Sequence, residues 1–194
     1  FFLSEALLPR LHASQMTSRK IDFHVTTQSS AETDHPSDAD LSILLGDPMR
    51  RDLTTHRLFP REVVVACSQD YFDSHRIETH DDLNGKTLLV HDKNRDSWEA
   101  WAKQVGVKEP VPGKLLRSDS MSAIARAAQQ GLGIALISWP LGHQWFDDGA
   151  LVRVFDEEVA TGNFFYVALR SEDAARKEVQ ELCDWVIAEF ENFA

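Results

Sequence analysis

The stretch 117–138, RSDSMSAIARAAQQGLGIALIS, places its glycines after a helical pattern, and this order constrains the fold more than any other feature. Met121, Ile124, Ala125 and Ala128 follow the i, i+3, i+4, i+7 spacing of an amphipathic helix. The glycines then separate this helix from a short apolar run that predicts a buried strand. In a phosphate-binding loop the glycines precede the helix instead. The pattern therefore indicates a helix followed by a strand, and not a phosphate loop.

Polar residues crowd the predicted start of this helix, at Ser118, Asp119 and Ser120, whereas Gly131 has the position of a left-handed C-cap. One of the three polar residues is expected to cap the helix. A second interpretation is functional, because free N–H groups of the first turn and a hydroxyl would suit a small polar or anionic ligand. Both interpretations stay open, since one serine can cap while its neighbour binds.

Strands alternate with helices along the rest of the chain, which predicts an α/β fold with parallel strand pairs. Pro9 predicts a kink or an early stop in the first helix. Trp98 and Trp101, spaced i, i+3, are expected on the buried face of their helix. The predicted strands are 21–27, 41–46, 63–67, 87–90, 134–137, 150–155 and 164–169. The predicted helices are 3–18, 97–105, the helix of the opening stretch and a C-terminal stripe from Val179 to Phe190.

The net charge of the chain argues against some classes of binding partner. The 194 residues carry a net charge of −11, which argues against a surface that binds nucleic acid or an anionic membrane. No apolar run approaches the roughly 20 residues of a membrane span. Cys67 and Cys183 match no metal or redox spacing, so we interpret them as reduced thiols of a cytoplasmic protein.

Catalytic and metal-binding motifs are missing from the sequence. The eight histidines show no ligand spacing, and no nucleophile elbow, Walker loop or paired-carboxylate motif occurs. We therefore expect no enzyme activity, no metal and no cofactor. A small α/β enzyme stays an alternative, because catalytic clusters can be scattered in sequence.

Seven motifs carry a family resemblance through their order and spacing: LLPRL, ADLSILLG, VVVACSQDYF, DDLNGKTLLVHD, SDSMSAIARAAQQGLGIALIS, DGALVRVF and FFYVALR. Together they resemble the effector-binding region of LysR-type transcriptional regulators. The segment HDKNRDSWEAWAKQVGV, a Trp-x-x-Trp helix followed by Gly, resembles the branch that contains glycine-cleavage-system activators and β-lactamase regulators.

The resemblance implies a type 2 periplasmic-binding-protein-like fold, in which two lobes are joined by two crossing strands and a small molecule binds in the cleft. Lobe I would comprise 1–66 and 167–194, and lobe II would comprise 67–166. The family's upstream helix-turn-helix domain, its linker helix and the first strand of lobe I are expected to be absent from this chain, as in a fragment. The main alternative is a stand-alone solute-binding protein of the same fold.

The resemblance also implies partners for the whole regulator. These are a small-molecule effector, DNA bound only through the N-terminal domain, homodimers formed through this region and tetramers of the full-length protein, with no membrane contact. A helix N-terminus and hydroxyls suggest a carboxylate or an amino acid as the effector. The proposed mechanism is a population shift between lobe arrangements.

Eight residues are the candidate ligand contacts. Four of these residues also have a purely structural interpretation, in which no ligand is bound. Thr27 and Ser29 would then belong to a solvated loop, Asp47 would form a turn beside Pro48, and Tyr166 would be a core tyrosine. By matching position in the family and by strand ends, the candidates are Thr27, Ser29, Asp47, Cys67, Ser68, Ser120, Met121 and Tyr166.

Overall fold

Two compact units make up the chain, and two long strands run through both. The computed structural model describes residues 1–14, 22–27, 34–191 and 193. Unit 1 comprises residues 1 and 62–161, and unit 2 comprises residues 2–61 and 162–194. Strands β2 (Leu53–Cys67) and β7 (Val159–Arg170) each continue from one unit into the other. The lobe limits predicted from the sequence stay a prediction.

Unit 1 is built on a mixed sheet with parallel strands at its centre. Its strand order is β2, β5 (Ile134–Trp139), β3 (Thr87–His91), β4 (Lys114–Ser118). Strand β3 is parallel to both β4 and β5, whereas β2 is antiparallel to β5. The short β6 (Val152–Arg153) pairs with the end of β2. The predicted α/β fold with parallel pairs is confirmed.

Helices cover both faces of this sheet. Alternate residues of one strand point to opposite faces, so an entirely apolar strand needs a covering layer on each side. In β3, Leu88 and Val90 pack with Trp98 and Trp101, while Leu89 packs with Ile124 on the other face. Both tryptophans are buried, as their spacing predicts. The helices are α2 (Gln69–His75), α3 (Ser97–Val105), α4 (Met121–Gln129) and α5 (His143–Asp147), with a 3-10 turn at His80–Leu83.

Unit 2 has an aromatic core beside a short antiparallel pair. Strand β1 (Ser42–Leu45) pairs with β7, and α6 (Lys177–Phe190) supplies the C-terminal helix. A π-helical turn (Leu3–Leu7) leads into α1 (Leu8–Ala13), and a 3-10 turn covers Asp173–Ala175. Four phenylalanine rings form a connected cluster, in which Phe2 and Phe59 contact each other and each also contacts Phe165 and Phe190. In the described parts of both units, no helix has the length and apolarity needed to cross a membrane.

The predicted strand 21–27 is wrong over its described part. Residues 22–27 form no strand, and Val25 is 44% exposed although it alternates correctly with Phe23. Alternation predicts which side chains share a face, but a strand also needs a hydrogen-bonded neighbour. No strand pairs with residues 22–27 among the described residues, which is why the alternation misleads.

The first helix is shorter than predicted. It ends at Ala13, where extended Ser14 donates its N–H and its hydroxyl to the Leu11 carbonyl. Residues 15–18 lie outside the described residues. Pro9 does not stop the helix, because it occupies the first turn of α1, directly after the π-helical turn, where an N–H is not required. The predicted kink stays a prediction.

Strand lengths also depart from the sequence prediction. Strand β2 begins at Leu53, ten residues before the apolar run that predicts it, and β7 begins at Val159, five residues before its own. The predicted strand 150–155 is wrong beyond the two residues of β6, which pair with Ala66 and Cys67. Apolar runs report burial, whereas strand ends are set by where a partner strand ends.

Two glycines from distant parts of unit 1 come into direct backbone contact. A Cβ on Gly113 would lie 2.3 Å from the Gly85 carbonyl oxygen. Backbone hydrogen bonds join the same two turns, from Gly85 N–H to the Val111 carbonyl at 2.8 Å and from Gly113 N–H to the Lys86 carbonyl at 2.9 Å. This contact fixes the point at which β3 and β4 begin to pair.

Buried His35 is a neutral-form histidine in unit 2. Its Nδ1 lies 2.7 Å from the Ser42 hydroxyl, and its buried Nε2 has no hydrogen-bond partner among the described residues. Burial, helped by the nearby Arg170 guanidinium, lowers the pKa of His35 below its ordinary value of 6.5, although Asp173 acts in the opposite direction. The folded state therefore binds this proton less readily than the unfolded chain.

We expect Gly133→Ala to lower the free energy of unfolding by about 3 kcal/mol, because a Cβ there would lie 2.6 Å from the Thr87 backbone oxygen. Gly106→Ala is the matched control, since its Cβ meets open space and only its positive φ of 81° causes strain, costing about 1 kcal/mol. Urea unfolding of both variants measures the difference. Equal losses would show that Gly133 does not need this close approach.

We expect the stability contributed by neutral His35 to be complete above pH 6.5 and to be lost as the pH falls toward its lower folded-state pKa. Urea unfolding at pH 7.5 and pH 5.5, for the native protein and for His35→Gln, measures this contribution. The loss of unfolding free energy on acidification should be smaller in His35→Gln, because glutamine does not titrate. An identical pH dependence would contradict the assignment.

Candidate functional site

The start of α4 lies at the carboxyl end of the parallel strands of unit 1. Strand β4 ends at Ser118, directly opposite His91 at the end of β3. The Asp92 N–H donates to the Ser118 carbonyl at 2.9 Å, which holds the two strand ends together. Ligands of open α/β sheets bind at this edge, where successive loops leave the strands.

Two serines fix the geometry of the α4 N-terminus. Ser120 is the N-cap in an extended conformation, and its Oγ accepts the Ala123 N–H at 3.3 Å. Ser118 Oγ in turn accepts the Ser120 N–H at 3.1 Å. The predicted cap is therefore present. Because Ser120 Oγ uses a lone pair for the cap, its own O–H proton stays available as a donor.

The first turn of α4 also presents backbone donors. The N–H groups of Met121 and Ser122 have no acceptor among the described residues, as expected for the first positions of a helix. The helix dipole adds a partial positive charge at this end. Together with the Ser120 hydroxyl, this end of α4 can bind an oxygen-bearing or anionic group.

Cys67 and Ser68 lie at the opposite end of α4 from Ser120. The Ser68 N–H donates to the carbonyl of Ala128 in the last turn of the helix, at 3.1 Å. Nine residues of helix separate the two ends, a length of about 14 Å. The structure therefore does not bring Cys67 and Ser68 together with Ser120 and Met121.

The Cys67 side chain is fully buried, and burial raises the pKa of its thiol to about 12. Ser68 is the N-cap of α2, where its Oγ accepts the Tyr71 N–H at 3.2 Å. Both residues thus have structural roles at the end of β2.

The remaining candidates belong to unit 2. Thr27 is exposed in a segment without regular structure, and Ser29 lies outside the described residues. Asp47 forms the predicted turn, because its Oδ1 accepts the Met49 N–H at 2.9 Å. Tyr166 is half-buried in β7, opposite Leu44 of β1.

Two polar residues near the candidate site were missed by the sequence analysis. Ser138, near the end of β5, is 3% exposed, and its Oγ has no hydrogen-bond partner among the described residues. His91 ends β3, and its Nδ1 accepts the Lys93 N–H at 3.2 Å. A search for polar residues that end apolar strands would have found both. Within the described ranges, no three metal-binding side chains come together.

Relatives of known sequence match over nearly the whole chain. The glycine cleavage system transcriptional activator of Escherichia coli K12 is 24% identical over 185 residues, which cover 94% of this chain and 60% of the relative. The transcriptional activator AmpR of Pseudomonas aeruginosa is 27% identical over 168 residues, covering 85% of this chain and 55% of the relative. The chain thus spans 60% or less of these relatives' lengths, and a glycine-cleavage activator is among the proteins it is similar to.

Solved structures give the same fold. The AmpR effector-binding domain of Citrobacter freundii superimposes with a TM-score of 0.82 at 22% identity, covering 96% of this chain and 92% of that domain. The AmpR effector domain of Pseudomonas aeruginosa gives a TM-score of 0.81, also at 22% identity, covering 96% and 89%. The fold is therefore the predicted type 2 periplasmic-binding-protein-like fold. Residues 2–191 match the family model described as the LysR substrate binding domain, and the chain belongs to this family.

Proposed function

We propose that this chain is the effector-sensing domain of a LysR-type DNA-binding transcriptional regulator. The observation that carries the proposal is the family match over residues 2–191. The similar proteins are named as transcriptional activators, which favours a regulator over a stand-alone solute-binding protein or an enzyme. The net charge of −11 supports DNA contacts made by a separate helix-turn-helix domain of the whole protein.

The proposed effector contacts begin at the start of α4. The N–H groups of Met121 and Ser122 and the Ser120 hydroxyl would donate to a carboxylate, whose charge the helix dipole favours. Exposed Asp119 lies one residue before the cap and would suit an ammonium group. This pairing supports an amino acid or another small carboxylic acid as the effector.

The other candidate contacts are proposed with different support. Tyr166 is half-buried and has a hydroxyl that can donate or accept, which supports it as a ligand contact. Asp47 has a turn-forming role that competes with ligand binding, and Thr27 and Ser29 are supported by sequence position alone. Cys67 and Ser68 would act through the backbone around β2. The expectation that the effector lies between two lobes stays a prediction.

The whole regulator is proposed to act as a cytoplasmic oligomer, a dimer through this region and a tetramer at full length. The effector would favour one arrangement of the two units and so alter the spacing of attached DNA-binding domains. A ligand shifts this equilibrium only through its different affinities for the two arrangements.

We expect a thermal-shift screen of amino acids and small carboxylic acids to find ligands that raise the melting temperature, because they bind only the folded state. Ser120→Ala should weaken the best such ligand by about three- to tenfold in calorimetric titration, the loss of one hydrogen bond.

Thr79→Ala is the control, because it removes a comparable capping contact, that of Thr79 with Asp82, at the 3-10 turn. Its affinity for the same ligand should equal that of the native protein. Equal affinity in Ser120→Ala would remove Ser120 from the site. A screen of the full-length regulator in which no small molecule binds would contradict the proposed function itself.

We expect the Cys67 thiol to resist iodoacetamide in the native protein at pH 8, because it is fully buried and its pKa is raised to about 12. Ala100→Cys adds an exposed thiol on α3 as a positive control. Mass spectrometry should show labelling at position 100 within minutes, and labelling of Cys67 only in urea. Rapid native labelling of Cys67 would show that the end of β2 opens.

A further inference from the structure

One backbone carbonyl at the end of α4 accepts two hydrogen bonds. The Ala128 carbonyl accepts the Gly131 N–H at 3.0 Å, which closes the helix, and the Ser68 N–H at 3.1 Å. Ser68 immediately follows Cys67, the last residue of β2. The two residues joined by this second bond are 60 positions apart in sequence, so the bond ties a helix end to a strand end.

Ser68 also begins the next helix. Its Oγ caps α2, so the positive N-terminus of α2 meets the negative C-terminus of α4 at this single residue. Ser68 and Ala128 are both buried, and a hydrogen bond shielded from water is electrostatically stronger than an exposed one. Breaking it would leave two buried backbone groups unpaired.

The body of α4 is packed against β2, the strand that Ser68 directly follows. Ile124, Ala125 and Ala128 belong to one buried cluster with Val64 and Ala66 of β2. Small alanine side chains let the helix lie close to the sheet, and such close packing resists sliding. Helix α4 and the end of β2 therefore have little freedom to move separately.

We propose that α4 transmits occupancy of its N-terminus to the end of β2 through the Ser68–Ala128 hydrogen bond. That the occupant is an effector rests on the proposed function, whereas the linkage itself is internal to unit 1. Stabilising the first turn of α4 would strengthen the hydrogen bond at its last turn, and Ser68 would pass the change to the strand that both units share.

Hydrogen exchange of the Ser68 amide, measured by NMR in this chain, tests the linkage without a ligand. Ser120→Ala removes the cap and should speed exchange of the Ser68 amide about fivefold, together with the amides of α4. Ser122→Asp places a carboxylate in the exposed first turn, as an effector carboxylate would, and should slow Ser68 exchange about two- to fivefold.

Gly131→Ala tests the other end of the linkage. A Cβ there would lie 3.2 Å from Ser68 Oγ, at a φ of 71°. Gly106→Ala, at the end of the equally long α3, has a similar φ of 81° and meets no atom within 4 Å. Gly131→Ala should speed Ser68 exchange, whereas Gly106→Ala should leave it unchanged.

The linkage is overturned if Ser120→Ala speeds exchange within α4 while the Ser68 amide keeps its native rate. It is equally overturned if Gly106→Ala changes Ser68 exchange as much as Gly131→Ala does, because helix-end strain alone would then explain the effect. Neither result bears on whether the domain senses an effector, and failure of the ligand screen leaves the exchange measurements valid.

Discussion

The packing of α4 against the sheet of unit 1 is the interaction on which the candidate site depends. Ala125 and Ala128 are fully buried against a cluster that includes Val64, Ala66 and Ile137. Interior packing of this density leaves no room for larger side chains without shifting the helix. The position of α4 is therefore set by small side chains, and the polar groups at its two ends are placed accordingly.

Each end of α4 then has a different chemistry. The N-terminus offers donors and a partial positive charge, while the C-terminus offers carbonyl acceptors that the protein itself satisfies. The N–H groups of Met121 and Ser122 remain unpaired among the described residues, whereas the carbonyl of Ala128 is paired twice. This asymmetry is why the proposed effector contacts lie at one end and the structural contacts at the other.

The sequence correctly predicted helices and strands in which buried side chains recur at a regular spacing. The predicted limits of α3, Ser97 to Val105, are confirmed, and Gly131 has the left-handed φ that its position after α4 predicts. The strand predicted over residues 22–27 is wrong because alternation carries no information about a pairing partner. The true starts of β2 and β7 were missed because their first residues include polar and exposed ones that pair without being buried.

The sequence predicted only those hydrogen bonds of the candidate residues that join near neighbours in the chain. The cap of Ser120 could be read from its neighbours, as could the turn of Asp47. The bond between Ser68 and Ala128 could not, because no short-range rule relates a strand end to a helix end 60 residues later. Ser138 was missed although it directly follows the predicted apolar strand 134–137, where a search for polar residues at strand ends would have found it.

The contact between Gly85 and Gly113 has a consequence for recognising this domain in other sequences. Each turn needs the other's backbone at a distance that excludes a side chain on Gly113. A substitution there cannot be offset by a change of side chain at Gly85, because the obstructing atom belongs to the main chain. We therefore expect substitutions at Gly113 to be selected against even where the surrounding residues change. We therefore expect related chains that keep this strand pair and the same connecting length to have a glycine 28 positions after the Asn-Gly turn.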